Sequence, residues 1–145
     1  MTQEDKELLL KDLCARLPYG VYVDAYSWQK DTPKLLVECV PEYVGEEIVV
    51  KGLAGRHSIR EIKPYLRPMS SMTEEEWKEY DKACDLDVDS SANALRTNLK
   101  ARKRVLISTW HHGTDWLNKN HFDYRGLIPM GLALEAKEGM YGDKD

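Results

Sequence analysis

Three of the four histidines of this chain fall in one short stretch, His111-His112-Gly113-Thr114-Asp115-Trp116, running on to His121-Phe122-Asp123-Tyr124. A neutral imidazole and a carboxylate four residues apart on a helix share one face, and that pair suits zinc, manganese or iron. His111, His112, Asp115 and His121 are therefore the candidate metal set, with His121 and Asp123 joining only if the chain folds back after Asn120. The competing expectation is structural: Asp115 lies in the first turn of a helix, where acids are favoured, and His121 near its end, where a cation is favoured. His111 and Asp115 also match HxxxD, the pattern in which acyltransferases use the histidine as a general base. The fuller HHxxxD form fails here, because His112 stands four residues before Trp116, and the chain is far too short for that two-lobed fold.

Other chemical signatures are incomplete. Asp85-Leu86-Asp87-Val88-Asp89-Ser90 imitates the start of an EF-hand loop, which needs glycine at its sixth position and a bidentate glutamate at its twelfth. Ser90 and Arg96 stand there instead, and an arginine repels the ion. No phosphate-binding glycine loop, GxSxG elbow or Cys–His nucleophile pattern occurs. Cys14, Cys39 and Cys84 are odd in number and lack CxxC spacing, so they read as free thiols of a reducing compartment. No cofactor is implied, and an enzyme is the less favoured class.

These groups must be positioned by a chain of 145 residues, 42% hydrophobic and 32% charged, with a net charge of −4. That composition belongs to a globular domain with its own core. The acidic opening Met1-Thr2-Gln3-Glu4-Asp5 and the short apolar run Leu8-Leu9-Leu10 fit neither an export signal nor a membrane span, so a cytoplasmic location and no membrane partner are expected. From Thr73 to Asp89 eight acids face only Lys78 and Lys82. From Ser90 to Arg104 there are five bases, Arg96, Lys100, Arg102, Lys103 and Arg104, and no acid. Either two neighbouring helices screen each other, or the basic segment is a surface for nucleic acid.

Thr2 caps a helix expected over Gln3–Arg16, with Leu9, Leu10, Leu13 and Leu17 as its buried stripe and Pro18-Tyr19-Gly20 as its stop. The period then becomes alternating. Val21, Val23 and Ala25 face one way and Tyr22, Asp24 and Tyr26 the other; further strands are expected over 35–40, 48–50 and 57–62. Such a meander escapes its edges best by curling into a barrel over about residues 20–66. Tyr22, Tyr26 and Trp28 would share a face of the first strand and could form a stacking platform for a partner. Thr73-Glu74-Glu75-Glu76 is a capping box for a helix with Trp77, Tyr80 and Cys84 inward. A helix over about 90–104 and a short one over Thr114–Asn120 follow. The tail Leu127–Leu134 should dock on the core, and 139–145 should fray.

The run Ile59-Arg60-Glu61-Ile62-Lys63-Pro64-Tyr65-Leu66 resembles the last strand and following turn of SH3-like barrels. Two longer blocks, Lys63–Thr73 and Asp115–Asn118 with His121–Ile128 and Gly131–Leu134, resemble small uncharacterised proteins of gut bacteria, often found among prophage-like or mobile elements. That resemblance implies an accessory role in a bacterial cytoplasm and no activity. The expectation is a single α+β domain, with residues 1–68 a helix plus β-meander and 69–145 a mainly helical part. Its function would be a non-enzymatic binding or adaptor module with a protein partner. The alternatives are a nucleic-acid binder using 96–104 and a metal-dependent enzyme at the histidine cluster.

Overall fold

The computed structural model describes residues 1–25, 33–45, 47–52, 55–85 and 111–141, with backbone only at 84–85 and 111–112. The fold is α+β, and the chain divides into two compact units: residues 1–66 with 125–145, and residues 67–124. The segment from Arg125 onward thus clusters with the sheets, not with the helical part that precedes it. Among the described residues no helix is long and apolar enough to cross a membrane.

The first unit begins with α1 (Gln3–Arg16). Thr2 Oγ1 accepts from the Asp5 N–H, and the Asp5 carboxylate accepts from the Thr2 N–H, closing the cap in both directions. Leu9 and Leu13 are fully buried, as the helical spacing predicts, but so are Asp12 and Arg16, and Lys6 is nearly so. Leu17–Tyr19 tightens into a 3-10 turn, and Gly20 turns the chain with φ +73°.

Among the described residues seven strands follow: β1 (Val21–Ala25), β2 (Lys34–Leu36), β3 (Val40–Val44), β4 (Glu47–Lys51), β5 (Arg56–Ser58), β6 (Ile62–Leu66) and β7 (Leu134–Glu135). Among the described residues they form two sheets, ordered β2-β1-β6-β7 and β3-β4-β5, in place of the expected four-strand meander, and their ladders do not close into a barrel. The reason lies in Ser58–Ile62, which reads as one strand by alternation. Ser58 Oγ accepts from the Arg60 N–H and starts a 3-10 turn over Ile59–Glu61. That turn breaks the ladder with β4 and delivers β6 beside β1, where Val23 pairs with Pro64 and Ala25 with Ile62.

The core of this unit gathers Leu9 and Leu13 from α1, Val21 and Val23 from β1, Ile48 and Val50 from β4, and Ile62 and Leu66 from β6. Leu127, Leu132 and Ala133 of the tail are buried in the same cluster. Contrary to the expected fraying, Tyr141 is tied in. The β1–β6 ladder ends at Val23–Pro64, and one step further the Tyr141 hydroxyl accepts from the Tyr22 N–H (3.1 Å) and donates to the Tyr65 carbonyl. A phenol thus stands in for a missing ladder bond.

The second unit is helical, with α2 (Glu74–Asp85) and α3 (His111–Lys119). Thr73 and Glu76 form the expected capping box. Trp77 and Tyr80 are buried, and the rings continue from Tyr80 to Trp116 (5.7 Å) and from Trp116 to Phe122, stacked at 5.7 Å and 13°. Trp116 thus packs, partly buried, against the core of this unit.

Candidate functional site

Burial in the first unit is uneven at one place. Leu35 on β2, Val37 in the following connection, and Val40, Tyr43 and Val44 on β3 are 45–64% exposed, and all five lie within ten residues. A single exposed leucine carries no information, but five exposed apolar side chains within ten residues do. The register explains how it arises. Tyr43 pairs with Ile48 and Pro41 with Val50, so these side chains share one face of the sheet. Ile48 and Val50 are fully buried on that face, whereas Tyr43 remains open. The apolar side of this sheet therefore runs on past its covered part to an uncovered edge strand. On the opposite face Glu42 pairs with Lys51 and Arg56, and Val40 and Val44 flank it. β2 and β3 are each the edge of their sheet, and Leu35 and Val37 close over Gly20, where a Cβ would sit 3.2 Å from Leu35 Cδ1.

The most concentrated charge is buried in the same unit. Asp12 accepts from Arg16 Nε at 2.9 Å and Nη2 at 3.0 Å, and from Arg125 Nη1 at 2.7 Å. Asp12 and Arg16 have no exposed side-chain surface. Both carboxylate oxygens are engaged, so this group clamps α1 to the returning chain and has no lone pair directed at solvent. Also on α1, Lys6 reaches Glu47 at 3.1 Å, and Ser58 and Arg60 hold the same carboxylate. The Ser58 hydroxyl, then Lys6, hold the Glu47 carboxyl below its usual range. Glu42 is likewise lowered, chiefly by its hydrogen bond from Lys51.

The residues singled out by the sequence fare differently. Tyr22 lies on the outer face of its sheet, half-buried, with its ring 5.5 Å from that of Tyr141. Its ring packs against that of Tyr141; Tyr26 and Trp28 lie outside the described residues. The basic set Arg96, Lys100, Arg102, Lys103 and Arg104 also lies outside them, as do Trp110 and the imitation EF-hand from Leu86 on.

Of the metal candidates, the His111 and His112 side chains are outside the description, Asp115 is exposed and His121 is buried. His121 is placed by the end of α3. The Phe122 N–H reaches Leu117 O at 3.0 Å and the His121 N–H reaches Asn118 O at 3.1 Å, while His121 itself adopts φ +65°. This is the Schellman ending, which normally recruits glycine at that position. Among the described residues no three metal-ligating side chains gather.

What sequence reasoning missed is the exposed stretch 35–44, the Asp12 clamp and the Tyr141 bridge. Asp12 and Arg16 carried a signal, an acid and a base at i,i+4 on the same side of α1 as Leu9 and Leu13. The exposed stretch carried none, because its apolar alternation is that of a core strand. No family model, curated protein or solved structure matches the chain.

Proposed function

We propose that the protein is a non-enzymatic binding or adaptor module that receives an extended apolar segment of a protein partner along β3. One observation carries this reading: the apolar face occupied by Ile48 and Val50 continues, uncovered, to Pro41 and Tyr43 on an edge strand. Edge strands recognise extended chains through main-chain hydrogen bonds, with neighbouring side chains giving specificity. Natural proteins normally blunt such edges with charge. Here Pro41 removes one donor and Glu42 puts a paired charge on the opposite face, yet Tyr43 leaves the face of Ile48 and Val50 apolar to its edge, with Val40 and Val44 exposed beside Glu42.

The test is an NMR titration of the full chain with extended peptides alternating apolar and polar residues, repeated on the double variant Tyr43→Lys, Val44→Lys. Shifts concentrated at residues 35–44, and abolished in the variant, are expected. Shifts confined to the Tyr22–Tyr141 surface, or none with any peptide, would overturn the reading. Binding of DNA or RNA that weakens steeply with salt, with no peptide effect, would transfer the function to the basic segment 96–104.

A further inference from the structure

Tyr141 enters the sheet β2-β1-β6-β7 between two of its strands. The pairing of β1 with β6 runs from Ala25–Ile62 to Val23–Pro64. The next step of that register sets Tyr22 opposite Tyr65, where a direct bond from the Tyr22 N–H to the Tyr65 carbonyl would continue the ladder. The Tyr141 hydroxyl stands there instead. It accepts from the Tyr22 N–H at 3.1 Å and donates to the Tyr65 carbonyl, with its ring 5.5 Å from the Tyr22 ring and tilted by 51°.

The gap has the chemistry of a recognition slot. One strand offers a donor and the other an acceptor, so the occupant must present a single atom that does both, which is a hydroxyl. Both groups belong to the backbone, held in place by the buried Val21, Val23, Ile62 and Leu66 on the same two strands. The Tyr22 ring supplies a wall for a flat aromatic shaft. Phenylalanine brings the shaft without the hydroxyl, and serine or threonine the hydroxyl without the shaft. Tyrosine fits both requirements. Burial, as the largest cause, raises the Tyr141 phenol far above its usual range, so the occupant is neutral and keeps the proton it donates.

The present occupant sits at the end of a lightly anchored segment. Leu132 and Ala133 are buried, but none of residues 134–141 is. β7 pairs with β6 over two residues, and the Ala136 N–H reaches Leu66 O at 2.8 Å. The Met140 N–H then reaches Lys137 O at 3.0 Å, closing a turn in which Gly139 adopts φ +76° and which returns Tyr141 to the sheet. We propose that the gap between Tyr22 and Tyr65 is a tyrosine-binding slot, which Tyr141 fills as a displaceable plug and which accepts the phenol of a tyrosine side chain from another protein. The plug weakens a competing phenol by the fraction of time that the slot is vacant. The slot lies in a different sheet from β3, so it stands or falls apart from the docking reading.

The experiment titrates the full-length Tyr141→Gly variant with p-cresol, the tyrosine side chain as a free molecule, and with toluene, which lacks the hydroxyl. Amide NMR and hydrogen exchange give the readout. The variant alone should lose exchange protection at Tyr22. Saturable p-cresol binding should restore it and shift the Tyr22 and Leu66 amides, while toluene does neither. Gly139→Ala keeps both plug and slot and serves if Tyr141→Gly fails to fold. A Cβ there meets nothing within 4 Å, so the change acts on the turn alone. An L side chain strains that conformation, and p-cresol should bind about tenfold more tightly than to the wild type. Equal effects of toluene and p-cresol would overturn the proposal. So would a Tyr22 amide that stays protected in Tyr141→Gly without ligand, since the ladder would then have closed directly. A Gly139→Ala protein that binds no better than wild type, or that forms dimers with crossed tails, would also overturn it.

Discussion

The two units place their ion pairs at different depths. Among the described residues of 67–124, Trp77, Tyr80, Leu117 and Phe122 are inside, Asn118, Asn120, His121 and Asp123 are buried too, and the Arg67–Glu76 ion pair lies nearer the surface. There Arg67 makes a two-pronged bond to Glu76 at 2.7 and 2.8 Å, stays partly solvated, and places its guanidinium 4.2 Å from the Phe122 ring centre. The sheet unit instead encloses an ion pair, Asp12 with Arg16, completely, while leaving five apolar side chains in solvent along 35–44. Each feature costs stability relative to a plain apolar core and a plain polar surface. The buried clamp has a structural return, fixing α1 to Arg125. The exposed stretch has no such return within the described residues, and the proposed docking of a partner rests on that exposure.

The sharpest way to break this contrast is to remove one carboxylate from each pair. Asp12→Ala leaves Arg16 charged and enclosed, and should lower stability by about 3–5 kcal/mol. Glu76→Ala leaves an arginine that water and the Phe122 face still solvate, and should cost only about 1–2 kcal/mol. Hydrogen exchange resolves the two by location. Asp12→Ala should raise exchange across α1 and β1, and Glu76→Ala across α2 and Arg67–Tyr124. Equal losses from both substitutions would mean that the clamp is hydrated and the units are not different in kind.

The same contrast explains what could be read from the sequence. The Gln3–Arg16 helix, its Thr2 cap, the inward Val21, Val23 and Ala25, and the Thr73–Glu76 box all depend on neighbours within four residues, and the structure has each of them. The aromatic core of the helical unit was legible for the same reason in Trp77 and Tyr80. What stayed hidden is set by partners far along the chain. Asp12 meets Arg125 across 113 residues, and Tyr141 meets Tyr22 across 119. Ser58–Ile62 keeps an unbroken strand alternation, and only the tertiary placement of β6 shows that its middle is a turn. The histidine stretch looked like the place for chemistry because residue types are local information. The conformation of His121 at the end of α3, and the exposure of Asp115, are not.

Tyr141→Phe tests whether the tail is structural in its own right. The change removes an acceptor for the Tyr22 N–H and a donor to the Tyr65 carbonyl, and should cost about 1–2 kcal/mol, read as a lower denaturation midpoint. It should also alter the alkaline limb. Burial, as the largest cause, raises the Tyr141 phenol far above its usual 10. Above pH 10 the unfolded chain therefore releases a proton that the folded chain retains. The contribution is full below pH 10 and is lost as pH climbs beyond it. The wild type should lose stability more steeply than Tyr141→Phe above pH 10. Parallel limbs would show that the hydroxyl is already solvated.

The smallest expected effect on stability sharpens the contrast most. If the 35–44 stretch served the fold, polar replacements there would destabilise as core changes do, by about 2–5 kcal/mol. Its exposure predicts otherwise. Tyr43→Lys and Val44→Lys, taken singly, should each shift stability by less than about 0.5 kcal/mol, whereas Ile48→Ala, the buried cross-strand neighbour of Tyr43, should cost several times more. Denaturation of the three variants side by side separates the cases. A near-neutral pair beside a damaging Ile48→Ala means that one face of one sheet changes from fold to surface between adjacent strands. A Tyr43→Lys loss as large as that of Ile48→Ala would instead make Tyr43 part of the core, and the edge would no longer be open to a partner.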